Sequence, residues 1–196
     1  MLWMRLREWV KTALALCPKN VAAEFQLDCM EEDINFLEKM LWRNDQKVGF
    51  CHNDLQYGNV MMNDEDQTLT LIDYDCSTYN PVAYDIANHF CEMAGDYHSD
   101  TPHILDFNKY PDFEKRHKFV KEYLKPSRKA GGMMSEKEVE QILKDIEKYT
   151  VASHIHWALW GIIAGRVNTI EFDYTEYARQ RFQQYNLLKH SILNVQ

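Results

Sequence analysis

The chain has 196 residues, of which 45% are hydrophobic, and it carries a formal net charge of −8. Its length and apolar content are sufficient for one domain with its own core. The acidic balance argues against nucleic acid as a main partner, because basic surfaces bind phosphate backbones. No apolar run approaches the roughly 20 residues of a membrane span, so none is expected. The five cysteines form no C-x-x-C pair, which favours free thiols in the cytoplasm over disulfides or a zinc site.

Two amphipathic helices are predicted at the start of the chain. Apolar residues recur at helical spacing from Leu2 to Leu16, and Pro18 ends this first helix. A capping box formed by Asp28 and Glu31 predicts the start of the second helix. The apolar stripe of the second helix consists of Met30, Ile34, Leu37 and Leu41.

Three short apolar runs of the β type follow. Val48–Cys51 predicts a buried strand, which the polar run 52–59 interrupts. Residues 60–62 and 68–72 are separated by a polar turn and predict a β-hairpin. Because a hairpin brings its two ends together, we expect Asp73, directly after the hairpin, to return close to the polar run.

The remainder of the chain is predicted to be mainly helical. Residues 79–81 form a predicted turn, and the pattern from 82 to 94 is helical, with Asp85 in the first turn. Residues 98–112 are predicted to be irregular, and 113–124 form a predicted helix.

The last third of the chain is predicted to contain one connection followed by helices. Residues 126–134 are expected to be the most mobile connection, because they contain a proline and two adjacent glycines. Two further capping boxes, at 135–138 and 173–176, predict helices that run to about residue 168 and to about residue 192.

The pattern with the most chemical content is His-x-Asp-x4-Asn, formed by His52, Asp54 and Asn59, with Asp73 after the following hairpin. In phosphoryl transfer a carboxylate receives the proton of the acceptor hydroxyl, and Mg²⁺ on the nucleotide takes hard oxygen ligands. Protein kinases place an Asp, an Asn five residues later and a second Asp in this order. We therefore predict Asp54 as the base and Asn59 and Asp73 as Mg²⁺ ligands. The alternative is a solvated loop of ordinary turn residues.

Three segments of the chain resemble the choline/ethanolamine kinase family, and within it the plant choline kinases. They are HNDLQYGN at 52–59, IDYD at 72–75 and DIANHFCE at 85–92. The resemblance implies a mainly α fold with a small β-hairpin, which is the C-terminal lobe of a protein-kinase-like enzyme. It also implies Mg²⁺ and ATP, with choline or ethanolamine as the phosphoryl acceptor.

The acceptor pocket is expected among the aromatic residues, because aromatic faces bind quaternary ammonium groups. Trp157 and Trp160 are three residues apart on a predicted helix and therefore share a face. Core packing is the alternative for aromatic residues at this spacing. The substrate-binding residues that the resemblance implies are Glu92, Tyr97, Trp157, Trp160 and Tyr177. Cys76 and Met93 stand where similar enzymes often have aromatic residues, which implies a less aromatic or less selective pocket.

Three further residues have two open interpretations each. His52 is either a hydrogen-bonding residue of the loop or a second base. Asp85 is either a favourable charge at a helix N-terminus or a brace for the backbone of the loop. Gln56 either orients the loop or contacts the acceptor.

A kinase of this template also has a glycine-rich loop and a strand lysine for the phosphates. The seven glycines form no such motif, and no predicted strand precedes Val48. We therefore expect residues 1–196 to be a single C-terminal lobe without the N-terminal nucleotide-clamping lobe, which would leave an apolar face open to other contacts, including a dimer.

Three functions are compatible with these features. The first is ATP- and Mg²⁺-dependent phosphorylation of choline or ethanolamine. The second is a truncated, non-catalytic isoform that binds choline or pairs with full-length kinase subunits. The third is a related small-molecule phosphotransferase of the aminoglycoside type, which shares the His-x-Asp-x4-Asn loop but which the residues around Trp157 and Asp85 disfavour.

Overall fold

The computed structural model describes residues 1–125 and 135–193, with side chains described as far as residue 190. Most of these residues lie in seven α-helices, and the longest helix, α6, packs against α1, α3, α4, α5 and α7. The predicted connection at 126–134 lies outside the described residues. In chain order the helices are α1 Leu2–Leu16, α2 Lys19–Glu24, α3 Met30–Leu41, α4 Val82–Glu92, α5 Phe113–Leu124, α6 Glu136–Val167 and α7 Tyr174–Leu193.

Two small antiparallel sheets lie between α3 and α4 in the chain. The predicted hairpin is confirmed: β2, Val60–Met62, pairs with β3, Leu69–Leu71. The second sheet pairs β1, Val48–Cys51, with β4, Thr78–Pro81. The fold is therefore mainly α, as expected, with one more pair of strands than the predicted hairpin.

The predicted turn at 79–81 is wrong, because these residues belong to β4. The side chain of Asn80, which looks like a turn residue in the sequence, is buried. Its Oδ1 accepts from the backbone N–H of Leu2 at 2.7 Å, and its Nδ2 donates to Oδ1 of Asn53 at 2.9 Å. Asn80 therefore joins the start of α1 to the loop that follows β1.

The predicted burial of β1 is also wrong for most of the strand. Only Cys51 is buried, while Phe50 and its partner Tyr79 on β4 are each 64% exposed. The two rings contact each other edge to face at 5.8 Å. Among the described residues the outer face of this sheet is thus open to solvent.

The start of the chain contains three helices rather than the predicted two. The stripe of α3 is buried as predicted, but the predicted cap is wrong. Helix α3 begins at Met30 after Cys29, and no side chain caps it. Asp28 lies in the preceding turn, where Gln26 has a left-handed φ of 52°. This turn delays the helix by one residue beyond the position that the Asp28 carboxylate would cap.

The last two helix starts are confirmed. Ser135 and Glu138 form a reciprocal capping box, from which α6 runs for 32 residues as one helix. Asp173 accepts from the backbone N–H of Glu176 at 2.9 Å at the start of α7, while the Glu176 carboxylate pairs with Arg179.

The expectations about the cysteines and about membrane spans can be compared with the described residues. All five cysteines are free. Within residues 1–125 and 135–193, none of the helices combines the length and apolar character that crossing a bilayer requires.

Candidate active site

The loop between β1 and β2 is held in place by α4. Asn53 adopts a left-handed φ of 63°, a conformation that asparagine tolerates better than most residues. Its backbone N–H donates to Oδ1 of Asp85 at 2.7 Å, in the first turn of α4. One turn later, Nδ1 of His89 contacts the carbonyl of Leu55 at 2.7 Å. The geometry at Asp85 corresponds to a brace for the loop backbone.

Asp54 and Asn59 lie side by side in this loop. Nδ2 of Asn59 donates to the carbonyl of Asp54 at 2.8 Å and approaches its Oδ2 at 3.3 Å. The Oε1 of Gln56 accepts from the backbone N–H of Gly58 at 2.7 Å. This bond matches the loop-orienting interpretation of Gln56, and the residue also lines the cavity described below, so both of its predicted roles stay open.

Asp73 returns to this loop through the hairpin. The backbone N–H of Ile72 donates to the carbonyl of Asn59 at 3.0 Å. Asp73 follows with a left-handed φ of 62°. The expectation that the hairpin brings Asp73 close to Asn59 is therefore confirmed.

His52 contacts the end of the hairpin, next to Asp73. Its Nε2 lies 2.9 Å from the carbonyl of Ile72, and its ring contacts the ring of Tyr74 at 4.8 Å. A carbonyl oxygen can only accept, so Nε2 carries the proton. This contact matches the hydrogen-bonding interpretation of His52, and the second-base interpretation gains no support from it.

The carboxyl group of Asp54 has an unusually high proton affinity. Burial raises its pKa to about 7, and the negative charges of Glu92 and Asp73 act in the same direction. The hydrogen bond from Asn59 and the charge of Arg181 oppose this rise. A general base functions best when its pKa lies near the working pH, so Asp54 has the acid–base properties of such a group.

Asp54 is one of the residues that line a cavity of about 260 Å³. Trp157 and Trp160 contact each other edge to face at 5.4 Å, and Trp160 contacts Tyr177 at 5.9 Å. All five predicted substrate-binding residues line the cavity, whereas Cys76 and Met93 do not. The lining residues are Asp54, Gln56, Glu92, Tyr97, Trp157, Trp160, Ile170, Phe172, Tyr174 and Tyr177.

A buried asparagine, Asn88, joins the loop to the aromatic wall of the cavity. Its Nδ2 donates to the carbonyl of Asn53 at 3.1 Å. Its Oδ1 accepts from Oγ of Ser153 at 2.8 Å and from Nε1 of Trp157 at 2.6 Å. The sequence motifs predict no separate role for Asn88, although a polar residue among the apolar residues of a helix is a recognisable signal.

We expect Asn88→Ala to lower the free energy of unfolding by roughly 3 kcal/mol or more. The substitution leaves up to three buried polar groups without a partner, and each costs about 1–3 kcal/mol. Urea unfolding measures the change. The matched control is Asn20→Ala on the exposed side of α2, which should stay within about 0.5 kcal/mol of the unaltered chain. Equal losses in the two variants would contradict the bridging role.

A second residue that the sequence did not single out is Arg181. It is fully buried on α7 and forms an ion pair with Glu92. Its Nε also donates to the hydroxyl of Tyr177 at 3.2 Å. The available signal was its position one helical turn after a predicted pocket residue. Glu92, one of the substrate-binding residues that the resemblance implies, is therefore already paired with a cation of the protein.

The oxygen donors near Asp54 are compatible with a magnesium ion. Asn59 and Asp73 supply one amide oxygen and one carboxylate at the two ends of the hairpin. Within the part of the chain that the structure describes, no group of three or more His, Cys, Asp or Glu residues is arranged to hold a metal ion. Mg²⁺ in phosphoryl-transfer sites takes one or two protein carboxylates together with substrate phosphates, and the donors present fit that pattern.

Known proteins are similar to this chain in both sequence and fold. The sequence model of the choline/ethanolamine kinase family matches residues 1–186. "Probable choline kinase 2" of Arabidopsis thaliana is 56% identical over 193 residues, which are 98% of this chain and 54% of that protein. The human "Choline/ethanolamine kinase" is 35% identical over 174 residues, covering 85% of this chain and 44% of that protein. The chain thus spans about half the length of the curated relatives that it matches.

Two solved structures have a similar fold. The crystal structure of choline kinase from Cryptosporidium parvum matches with a TM-score of 0.81 at 28% identity, covering 98% of this chain and 57% of that chain. The Plasmodium vivax ethanolamine kinase matches with a TM-score of 0.79 at 25% identity, covering 94% of this chain and 48% of that chain. The residues that the family model matches, 1–186, include the loop, the hairpin and the residues that line the cavity. The chain therefore belongs to the choline/ethanolamine kinase family.

Proposed function

We propose that this chain transfers the terminal phosphoryl group of ATP to the hydroxyl group of choline or ethanolamine. With choline the product is phosphocholine, the first intermediate of phosphatidylcholine biosynthesis by this route. The observation that carries the proposal is the position of Asp54, whose carboxylate opens into a cavity walled by aromatic rings. Such a cavity suits an ammonium alcohol, because rings hold the cation while the carboxylate meets the hydroxyl.

The chemistry assigned to Asp54 is acceptance of one proton. The acceptor oxygen forms a bond to the terminal phosphorus, the bond from that phosphorus to the bridging oxygen breaks, and ADP leaves. The proton of the acceptor hydroxyl passes to the Asp54 carboxylate. Its pKa of about 7 supports this role, because the group can take up the proton near neutral pH.

Asn59 and Asp73 are proposed to hold Mg²⁺. When bound, the ion neutralises charge on the phosphate oxygens of ATP. The hydrogen bond from Nδ2 of Asn59 to the Asp54 carbonyl orients the amide, and its Oδ1, which lies 3.4 Å from Nε2 of Gln56, is the proposed metal ligand. Asn59 therefore connects the proposed base to the proposed metal site.

We also propose that residues 1–196 form a single lobe, located in the cytoplasm and able to dimerise. The free cysteines support a reducing compartment. Exposed apolar side chains on the two sheets, including Phe50, Tyr79 and Leu69, support self-association. Light scattering of the purified chain tests the dimer, and a monomeric mass at all concentrations would contradict it.

The experiment that tests the proposed activity is formation of phosphocholine by the purified chain with ATP, Mg²⁺ and choline. We expect turnover that disappears when a chelator removes the metal. Calorimetric choline binding without turnover would overturn the kinase assignment and leave a non-catalytic binding protein. The family assignment does not favour the aminoglycoside alternative, and a substrate panel that includes an aminoglycoside checks this directly.

Removing one wall of the cavity should weaken choline binding selectively. We expect Trp160→Ala to raise KM for choline about tenfold and to leave KM for ATP unchanged, because a cation over an indole face gains roughly 1–2 kcal/mol. Steady-state kinetics with each substrate varied in turn measure both values. Trp42→Ala, at the end of α3 and outside the cavity, is the matched control. A rise in both KM values for Trp160→Ala would contradict the assignment.

A further inference from the structure

The cavity contains a carboxylate that is already fully engaged. Glu92 is 3% exposed, and Arg181 is 0% exposed. One oxygen of Glu92, Oε1, accepts from the guanidinium of Arg181. The other, Oε2, accepts from the hydroxyl of Tyr97 at 2.6 Å. Of the two carboxylates that line the cavity, Glu92 thus faces two donors of the protein itself, whereas Asp54 is the proposed base.

Arg181 organises the surrounding groups as well. Its Nε donates to the Tyr177 hydroxyl at 3.2 Å, and its guanidinium carbon lies 5.3 Å from the centre of the Tyr177 ring. Its NH1 lies 3.5 Å from Nδ1 of His154, which accepts because a guanidinium can only donate. Arg181 thus contacts Glu92, Tyr177 and His154. Through these contacts it orients two tyrosines that line the cavity: Tyr177 directly, and Tyr97 through Glu92.

Apart from the Asp54 carboxylate, which is assigned above to the acceptor hydroxyl, two further acceptors that line the cavity are engaged. The hydroxyl of Tyr174 accepts from Nδ2 of Asn168 at 3.1 Å, and Oε1 of Gln56 accepts from the backbone of Gly58. A primary ammonium group carries three N–H donors that lose water on entry and need acceptors. A trimethylammonium group has no N–H donor and needs only aromatic faces.

We propose that Arg181 is a positioning and specificity-determining residue, which engages Glu92 and Tyr177 so that the cavity favours a fully methylated ammonium over a primary one. This inference rests on the proposed function, because it assigns the cavity to the acceptor. Without Arg181, Glu92 would be a buried carboxylate without its counter-charge. It would then be free to accept from the N–H groups of a primary ammonium.

The test measures binding of choline and of ethanolamine by calorimetry, which needs no turnover. The unaltered chain should bind choline at least about tenfold more tightly than ethanolamine. Arg181→Met should weaken choline binding about tenfold and remove most of this preference. Arg181→Lys, which keeps the charge, should recover part of it. The matched control is Arg179→Met on the same helix, where the half-buried arginine pairs with Glu24 and Glu176 outside the cavity, and it should change neither affinity.

A double variant separates charge balance from a merely structural role. Glu92→Gln combined with Arg181→Met removes both buried charges, so it should fold even where Arg181→Met does not. It should prefer choline again, because no unpaired Glu92 carboxylate is left. Equal weakening of both amines in Arg181→Met, or no recovery of the preference in the folded double variant, would overturn the inference.

The outcome for the unaltered chain separates this inference from the proposed function. Binding of both amines with equal affinity would overturn the role of Arg181 and leave the kinase proposal intact. Binding of neither amine would overturn the assignment of the cavity to the acceptor, and the inference with it.

Discussion

Asp54→Asn is expected to reduce phosphocholine formation by about 10³-fold or more while changing choline affinity by less than about twofold. Asparagine has the shape of aspartate but cannot take up a proton from the acceptor hydroxyl. The aromatic side chains that hold the cation are untouched by the substitution. The effect should therefore appear in kcat and leave the binding constant unaltered.

The control for this variant is Asp64→Asn. Asp64 is an exposed carboxylate in the turn between β2 and β3, so its replacement should leave turnover unchanged. Phosphocholine is measured in a coupled or radiometric assay, and choline binding by calorimetry. Undiminished turnover in Asp54→Asn would remove Asp54 from the role of base. Loss of binding together with turnover would instead mean that Asp54 holds the cation.

The local part of this site was predictable from the sequence. The hairpin is predicted by two short apolar runs separated by a polar turn, and these features are visible within a few residues of sequence. Pairing of Val60 with Leu71 then brings Asp73 back to Asn59, as expected. The order of Asp54, Asn59 and Asp73 along the chain then predicts the base and the metal ligands, because phosphoryl transfer needs these groups in one place.

The partners of the acceptor pocket were not predictable in the same way. Arg181 and Glu92 are 89 positions apart and meet only because α7 and α4 pack on α6. Neither hydrophobic periodicity nor motif spacing predicts a contact between residues so far apart in the chain. The strand β4 was missed for a related reason, since Asn80 is stabilised by a bond to Leu2 at the far end of the chain.

Helix α4 connects the two halves of the site. Asp85, Asn88 and Glu92 follow one another at spacings of three and four residues, which places them on one face of the helix. Asp85 holds the backbone of the loop, Asn88 bridges the loop to Trp157, and Glu92 reaches the cavity. These three polar side chains on one face of α4 position the proposed base relative to the proposed acceptor.

The second large effect of Asp54 concerns stability. Its pKa of about 7 in the folded chain lies above the 3.8 expected when unfolded. Between these values the folded state keeps a proton that the unfolded state releases, so the free energy of unfolding falls as pH rises. The loss is absent below about pH 4 and complete above about pH 7. At 1.36 kcal/mol per pKa unit it amounts to roughly 4 kcal/mol.

Asp54→Asn should therefore be more stable than the unaltered chain by on the order of 4 kcal/mol at pH 8, with an advantage that shrinks as the pH falls towards 4. Urea unfolding in a chelating buffer at several pH values measures this difference without bound metal. Asp64→Asn, at an exposed site, should show no such trend. A catalytic carboxylate buried near other negative charges lowers stability where it is ionised, and its removal relieves that cost while abolishing turnover. An advantage that stays constant from pH 5 to pH 8 would mean that the pKa of Asp54 in the folded chain is not raised towards 7. The proposed role of Asp54 as the base would then lose the support of that raised pKa.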